Sequence, residues 1–273
     1  MEYTQIIYQP GPIARVIMNR PRYHNAQSST MLEEMDHAFM QAAADDEVRV
    51  IIMSGNGKHF SAGHDIGTPE MIAERETRLR NRQAAIKYQK EHYVDMSLRW
   101  RGIPKPTIAM VHGYCIFGGW LIASTMDLVF ASEDAMFLPS NLQFFTVPWE
   151  LGVKKAKEVL FESRFLTAKE AQEYGFVNRV FPREKLEEET LAYARRVADT
   201  DPLRLATSKF LCNQAQDLMG YTNAAISGFQ TYSIGILDST PEQIEAMKHG
   251  KRRLDAVDLA LKHSGAPEAD RGR

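Results

Sequence analysis

Two glycine-bearing turns carry the chemistry this sequence offers. The stretch "GKHFSAGHDI", residues 57–66, follows the apolar run "VRVIIMSG"; "HGYCIFGGWLIASTMD", residues 112–127, follows "IPKPTIAMV". Both preceding runs read as strands. In the first turn, small residues and Gly63 let the backbone approach a ligand closely. In the second, the Gly118-Gly119 pair stands at a helix start, where N–H groups lack an acceptor within the helix. Two such turns could supply an oxyanion hole, because charge developing on a carbonyl oxygen is best met by fixed donors in a dry site.

Such donors need strands that end together. "TQIIYQ" and "IARVIMN" read as strands around the turn "PGP", and "NAQSSTMLEEMDHAFMQAAADD" as a helix. Ser28 or Ser29 would cap it, with Met31, Met35, Ala38 and Phe39 on one face. "VRVIIMSG" is a nearly continuous apolar strand of the kind buried on both sides. This β, α, β order predicts an α/β fold with a parallel, helix-covered sheet. Residues 69–101 read as helical and densely charged, a solvated face whose basic side chains could meet an acidic ligand. "DLVFASEDAMFL" gives two short strands, and "PWELGVKKAKEVLF" a helix with Pro148 in its first turn. In "TAKEAQEYG", Thr167 and Glu170 have capping-box spacing and Gly175 is the stop. After Pro182 the chain is almost wholly helical, its last helix running from Tyr221 to about Leu261. A boundary near Thr200 separates a core, residues 1–200, from a helical C-terminal region, residues 201–273, and "HSGAPEADRGR" reads as a disordered tail.

The chain has 273 residues, of which 44% are hydrophobic and 25% charged, enough for a large core. A formal charge of −2 argues against nucleic acid as the main partner. Cys115 and Cys212 suggest neither a disulfide framework nor a zinc site, and both read as buried free thiols. No His, Asp or Glu spacing resembles a metal-ligand set. The start alternates like a hairpin instead of joining a basic stretch to an apolar one, and no apolar run approaches the ~18 residues of a membrane span. A soluble, cytoplasmic protein is expected.

"NRPRYHNA", "GKHFSAGHDI", "IPKPTIAMVHGYCIFGG", "MDLVFASEDAMF" and "LTAKEAQEYGFVNRV", in this order, resemble the crotonase superfamily, the enoyl-CoA hydratases and isomerases, over roughly Tyr3 to Pro182. The resemblance implies a spiral of ββα units followed by helices, assembled as a homotrimer or a dimer of trimers. The substrate would be an acyl-CoA thioester, with CoA entering as part of it and no separate cofactor. The thioester oxygen would sit between the backbone N–H groups of His64 and Gly118. Arg22 would lie near phosphate, and the backbone around His24 and Ala26 near adenine, with Ala62, Asp65 and Ile66 along the same path. Arg22 also reads as a surface charge and Asp65 as a buttress of its turn.

One departure limits the reaction. Where the resembled hydratases hold two glutamates, the matching positions are Leu121 and Asn141. No Asp or Glu occurs from His112 to Met126 or from Ala135 to Trp149. Hydration needs water activation and a proton for the α-carbon, which paired carboxylates supply, so the usual two-glutamate route is not expected. Oxyanion stabilisation still permits double-bond migration, decarboxylation or hydrolysis through an enolate, in a lyase or isomerase. "FSAGHDI" is also similar to methylmalonyl-CoA decarboxylase, which gives the His64 imidazole a possible acyl-site role. Glu150 in "VPWELG" either complements a helix dipole or serves as the sole acid/base. The rival class is a catalytically silent homologue that binds acyl-CoA or a partner.

Overall fold

The computed structural model describes residues 2–139, 143–248 and 251–264. Position 141, one of the two where a carboxylate is missing, lies outside the described residues, as does the end of the chain from 265.

Strands β1 (Ile6–Gln9) and β2 (Ile13–Met18) form an antiparallel hairpin. Helix α1 (Ser29–Ala44) starts where the Ser28 hydroxyl accepts the Met31 N–H at 3.1 Å, and it buries Met31, Met35, Ala38 and Phe39. It returns the chain to β3 (Val50–Gly55), parallel to β2 with Ile13 opposite Val50. Residues 69–101 form α2 (Pro69–Leu79), α3 (Arg82–Gln89), a π-helical turn over Lys90–Asp95 and α4 (Met96–Arg101). Then come β4 (Thr107–Val111), β5 (Tyr114–Ile116), α5 (Gly118–Thr125), β6 (Leu128–Ser132) and β7 (Met136–Leu138). The chain continues through α6 (Val147–Leu151), α7 (Val153–Glu162), β8 (Leu166–Thr167), α8 (Ala168–Glu173), β9 (Arg179–Phe181) and α9 (Leu186–Ala198). It closes with α10 (Pro202–Leu218), α11 (Tyr221–Leu237), α12 (Pro241–Lys248) and α13 (Lys251–His263).

The strands build a six-stranded sheet, β1-β2-β3-β4-β6-β9, and a three-stranded one, β5-β7-β8. A parallel bridge from Ser61 to Cys115 extends the small sheet to the turn after β3. Each of β3, β4 and β6 therefore leads into the small sheet and then into a helix, which makes the chain a spiral of ββα units. Apolar runs suit this plan because strands covered on both faces have no solvent side. Ile51 and Met53 of β3 join the main core, while Val50 and Ile52 face α9.

Several expectations need correction. Gly152, at φ +74, breaks the helix read from Pro148 onward into α6 and α7. The last helical segment is not continuous: α11 ends at Leu237 and a new helix starts at Pro241. His263 still belongs to α13, and the Ser264 hydroxyl accepts the Phe165 N–H at 3.0 Å, so the first two residues of the expected tail are ordered, while the rest of it lies outside the described residues. Cys115 is buried but Cys212 is exposed, on the outer side of α10. Among the described residues, no helix is long and apolar enough to cross a membrane.

Candidate active site

The turns after β3 and β5 meet. The Ser61 N–H donates to the Tyr114 carbonyl at 3.0 Å, and the Ile116 N–H returns the bond to the Ser61 carbonyl at 3.0 Å. Gly63 follows at φ +89, a left-handed conformation that favours glycine. The Gln27 N–H donates to the Gly63 carbonyl at 2.8 Å and the Asp65 N–H to the Gln27 carbonyl at 2.9 Å. This ladder uses groups on either side of His64, so the His64 N–H points away from it. Across the junction, Phe117 holds φ +48 and ψ −97, a strained geometry for a side-chain-bearing residue. It precedes Gly118, the first residue of α5, whose N–H has no acceptor within the helix. A Cβ on Gly119 would lie 2.8 Å from the Ser61 carbonyl oxygen, so the two turns pack without room for a side chain between them.

Residues 20–26 form a strap beneath this junction. Consecutive left-handed residues, His24 and Asn25, turn it so that the His24 carbonyl accepts the Ala62 N–H at 2.9 Å. The Asn25 side chain donates to the carbonyls of Asn56 and His59 at 2.9 and 2.8 Å. Arg22 and His24 are exposed, and Ala26 and Ala62 half-buried. The sequence reading missed Arg20, which pairs with the buried Asp65 at 2.8 Å. Burial alone would raise the Asp65 carboxyl, but hydrogen bonds from Thr68, Arg20 and Gly67 outweigh it and hold the group below its ordinary value. The Asp65 side chain thus buttresses its turn.

Beside the junction lies a cavity of about 820 Å³, walled by His64, Asp65, Ile66 and Phe117, together with Tyr88, Tyr93, Phe145 and Tyr232. Arg22, His24, Ala26 and Ala62 are not among its lining residues. The charged run contributes more than a solvated face, because Arg75 and Arg78 of α2 line the cavity as well. Arg75 donates to the Asp65 carbonyl at 2.7 Å. Arg78 pairs with Glu74 at 2.7 Å and lies over the Tyr88 ring at 3.8 Å. The Tyr88 phenol, raised by burial, shares a 2.7 Å hydrogen bond with Ser29. Tyr93, on the π-helical turn, sets its ring edge-to-face with His64 at 4.1 Å.

Leu121 is buried in the core of α5, so this position offers no proton chemistry. Trp120 stacks on Phe176 at 3.7 Å as a core residue. Asp127 accepts from Thr107 at 2.8 Å and pairs with Lys209 at 2.9 Å, which is structural work.

Glu150 stands on α6, half-buried and outside the lining of the large cavity. Among the described residues its carboxyl takes no hydrogen bond and no ion pair. Burial pushes it up to about 8, against the pull of the Arg101 guanidinium. It therefore holds its proton at neutral pH. A carboxyl with a strongly raised pKa and, among the described residues, no hydrogen-bond or ion-pair partner is the kind of group that active sites keep for proton transfer.

Known proteins resemble this chain in sequence and fold. The family model described as enoyl-CoA hydratase/isomerase matches residues 9–232. EchA13 of Mycobacterium tuberculosis is 34% identical over 262 residues, spanning 85% of this chain and 81% of that protein. A crystal structure of a probable enoyl-CoA hydratase from Mycobacterium smegmatis is 41% identical with a TM-score of 0.77, covering 84% of this chain and 93% of that one. An enoyl-CoA hydratase/isomerase from Xanthobacter autotrophicus Py2 is 30% identical with a TM-score of 0.83, covering 97% and 98%. With its ββα spiral, its paired strand-end turns and these matches, the chain belongs to the enoyl-CoA hydratase/isomerase family, the crotonase superfamily.

Proposed function

We propose that the chain is an acyl-CoA-processing enzyme that stabilises a thioester enolate. The N–H groups of His64 and Gly118 receive the thioester oxygen, and Glu150 supplies the proton chemistry. The observation that carries this reading is Glu150 itself: a carboxyl raised to about 8 and unpaired among the described residues, in a chain whose α5 offers Leu121 instead of an acid. Fixed donors for the oxyanion contribute ~2.7–4 kcal/mol each to the transition state.

The protonation state ranks the possible reactions. A carboxyl that is protonated at neutral pH is ready to donate to an enolate carbon, and only its minor ionised fraction can abstract a proton. Loss of CO2 from a β-carboxyl generates an enolate without a base and then needs such a donor. C–C cleavage of a β-diketo thioester needs the same donor, but only after water has added to the cleaved carbonyl and given up its proton to solvent or to the ionised fraction of Glu150. Double-bond migration begins with abstraction and is less well served. Two-carboxylate hydration lacks support, because Leu121 can neither activate water nor deliver a proton. CoA is part of the substrate in this reading.

Purified protein should be incubated with enoyl-, 3-hydroxy-, β-carboxy- and β-diketo-acyl-CoA thioesters, with consumption followed by mass spectrometry. Saturable turnover is expected with a β-carboxy or β-diketo substrate, with one deuterium incorporated at the α-carbon in D2O. Saturable binding with no turnover of any member would overturn the enzymatic reading in favour of a silent acyl-CoA-binding protein.

A further inference from the structure

Arg101, the last residue of α4, is buried with its guanidinium turned to the C-terminal helices. One terminal nitrogen lies 3.2 Å from both carboxylate oxygens of Asp217. The other donates to the Asn213 carbonyl at 3.1 Å and to the Gln216 side chain at 3.0 Å. The plane lies 4.3 Å from the centre of the Tyr221 ring. Asp217 is itself fixed by the Thr222 hydroxyl at 2.7 Å. Three acceptors on α10 thus surround a cation that belongs to α4.

Glu150 is close enough to feel this cation yet makes no ion pair with it. Tyr221 of α11 faces Glu150 electrostatically, and Trp149 packs on the same Tyr221 ring at 6.0 Å. Lys209 of α10 also feels Arg101 but is tied to Asp127 at 2.9 Å. Arg101 is therefore the one cation acting on Glu150 among the described residues, and it is always charged. A guanidinium and a carboxylate form a bidentate pair wherever geometry lets them. Here Asp217 takes one arm of the fork, and the Asn213 carbonyl and Gln216 side chain take the other.

Resting on the reading of Glu150 as the acid, we propose that Asp217 is a positioning residue for it: by holding Arg101 on the C-terminal helices, it stops the guanidinium from pairing with Glu150. The device uses two carboxyl groups and one cation, and only one of the two holds the cation.

The test is an infrared titration of the protonated carboxyl band of Glu150, isolated as the difference between each protein and its Glu150→Gln counterpart. Asp217→Asn keeps the shape of the side chain and removes its charge, so Arg101 turns towards Glu150 and the midpoint falls by about one unit or more. Arg101→Gln removes the cation and moves the midpoint upward. Gln216→Ala removes a neutral acceptor and gives a smaller fall; it decides the matter if Asp217→Asn does not fold. An unchanged or raised midpoint in folded Asp217→Asn, or no fall in Gln216→Ala if that variant must decide, overturns the proposal. The readout needs no substrate, so it stands apart from the catalytic reading, which would fail separately if Glu150→Gln kept its turnover. If both hold, the kcat limb governed by Glu150 shifts with the infrared midpoint.

Discussion

A methyl group added to Gly63 would lie 2.8 Å from the Ile116 carbonyl oxygen and 3.2 Å from the amide nitrogen of Gly118. The first contact is with backbone and cannot be relieved by a rotamer change. Gly63→Ala therefore strains a residue at φ +89 and pushes apart the two turns that carry the donors. The expected cost is ~1–3 kcal/mol of stability, read as a lower Tm, and a ~10²–10³-fold loss in kcat. Wild-type kcat in folded Gly63→Ala would separate the junction from catalysis.

His64→Ala leaves the backbone N–H in place and should retain most of the activity. Loss of turnover in a folded His64→Ala variant, checked by circular dichroism, would instead assign a role to the imidazole that packs against Tyr93. Gly118→Pro deletes the other donor outright and should abolish turnover.

Glu150→Gln preserves size while removing the proton, so turnover on the best substrate should fall ~10²–10⁴-fold. Affinity for the acyl-CoA should change little. A folded variant with near-wild-type kcat would remove Glu150 from the mechanism.

The same carboxyl sets a pH dependence of stability. Its folded value, about 8, lies above its ordinary 4.5, so between these pH values the folded state binds a proton that the unfolded state releases. The contribution is absent as a penalty below about 4.5, and folding becomes less favourable as pH rises to about 8. Thermal melts of wild type and Glu150→Gln across that window should show the variant gaining relative stability as pH rises. Parallel melting curves would contradict it.

The strands and helices of the core were legible because their signals are local, whereas the spiral they build came from the family resemblance. Ser28 caps α1, Thr167 and Glu170 form the reciprocal cap of α8, and the apolar run of β3 is buried on both faces. The glycine turns were legible for the same reason. Arg20 was not: it and Arg22 look alike in "NRPRYHNA", and only the 3-10 turn over Pro21–Tyr23 sends one inward to Asp65 and the other to solvent. Tyr88 and Tyr93 were hidden in a charged run, five residues apart, a spacing that matches no α-helical face. The environment of Glu150 was illegible because Arg101, Asp217 and Tyr221 come from distant helices.

A prediction about assembly rests on what α10 leaves uncovered. No residue of this helix is buried, and Phe210 and Leu218 are 60% and 87% exposed, with Leu203, Leu211 and the following Met219 exposed as well. Tyr221 and Phe229 of the neighbouring α11 are buried within the chain, and Tyr232 lines the cavity, so none of them is left to cover α10 from outside. A trimer or hexamer is expected by light scattering at micromolar concentration, and Phe210→Lys with Leu211→Glu should shift it towards monomer. A monomeric wild type would refute it.

The π-helical turn over Lys90–Asp95 has a geometric meaning for evolution by insertion and deletion. Relative to an α-helix it accommodates one surplus residue, and each residue advances a helix by about 100°. Removing one residue there would let the helix run straight and rotate everything downstream by about that angle. Trp100, whose indole N–H donates to Asp36 at 2.9 Å, and Arg101 would then face away from their partners while Tyr93 still faced His64. A relative lacking that residue would have to rebuild the contacts of Trp100 and Arg101, so a one-residue deletion here would reach as far as α10 and α11.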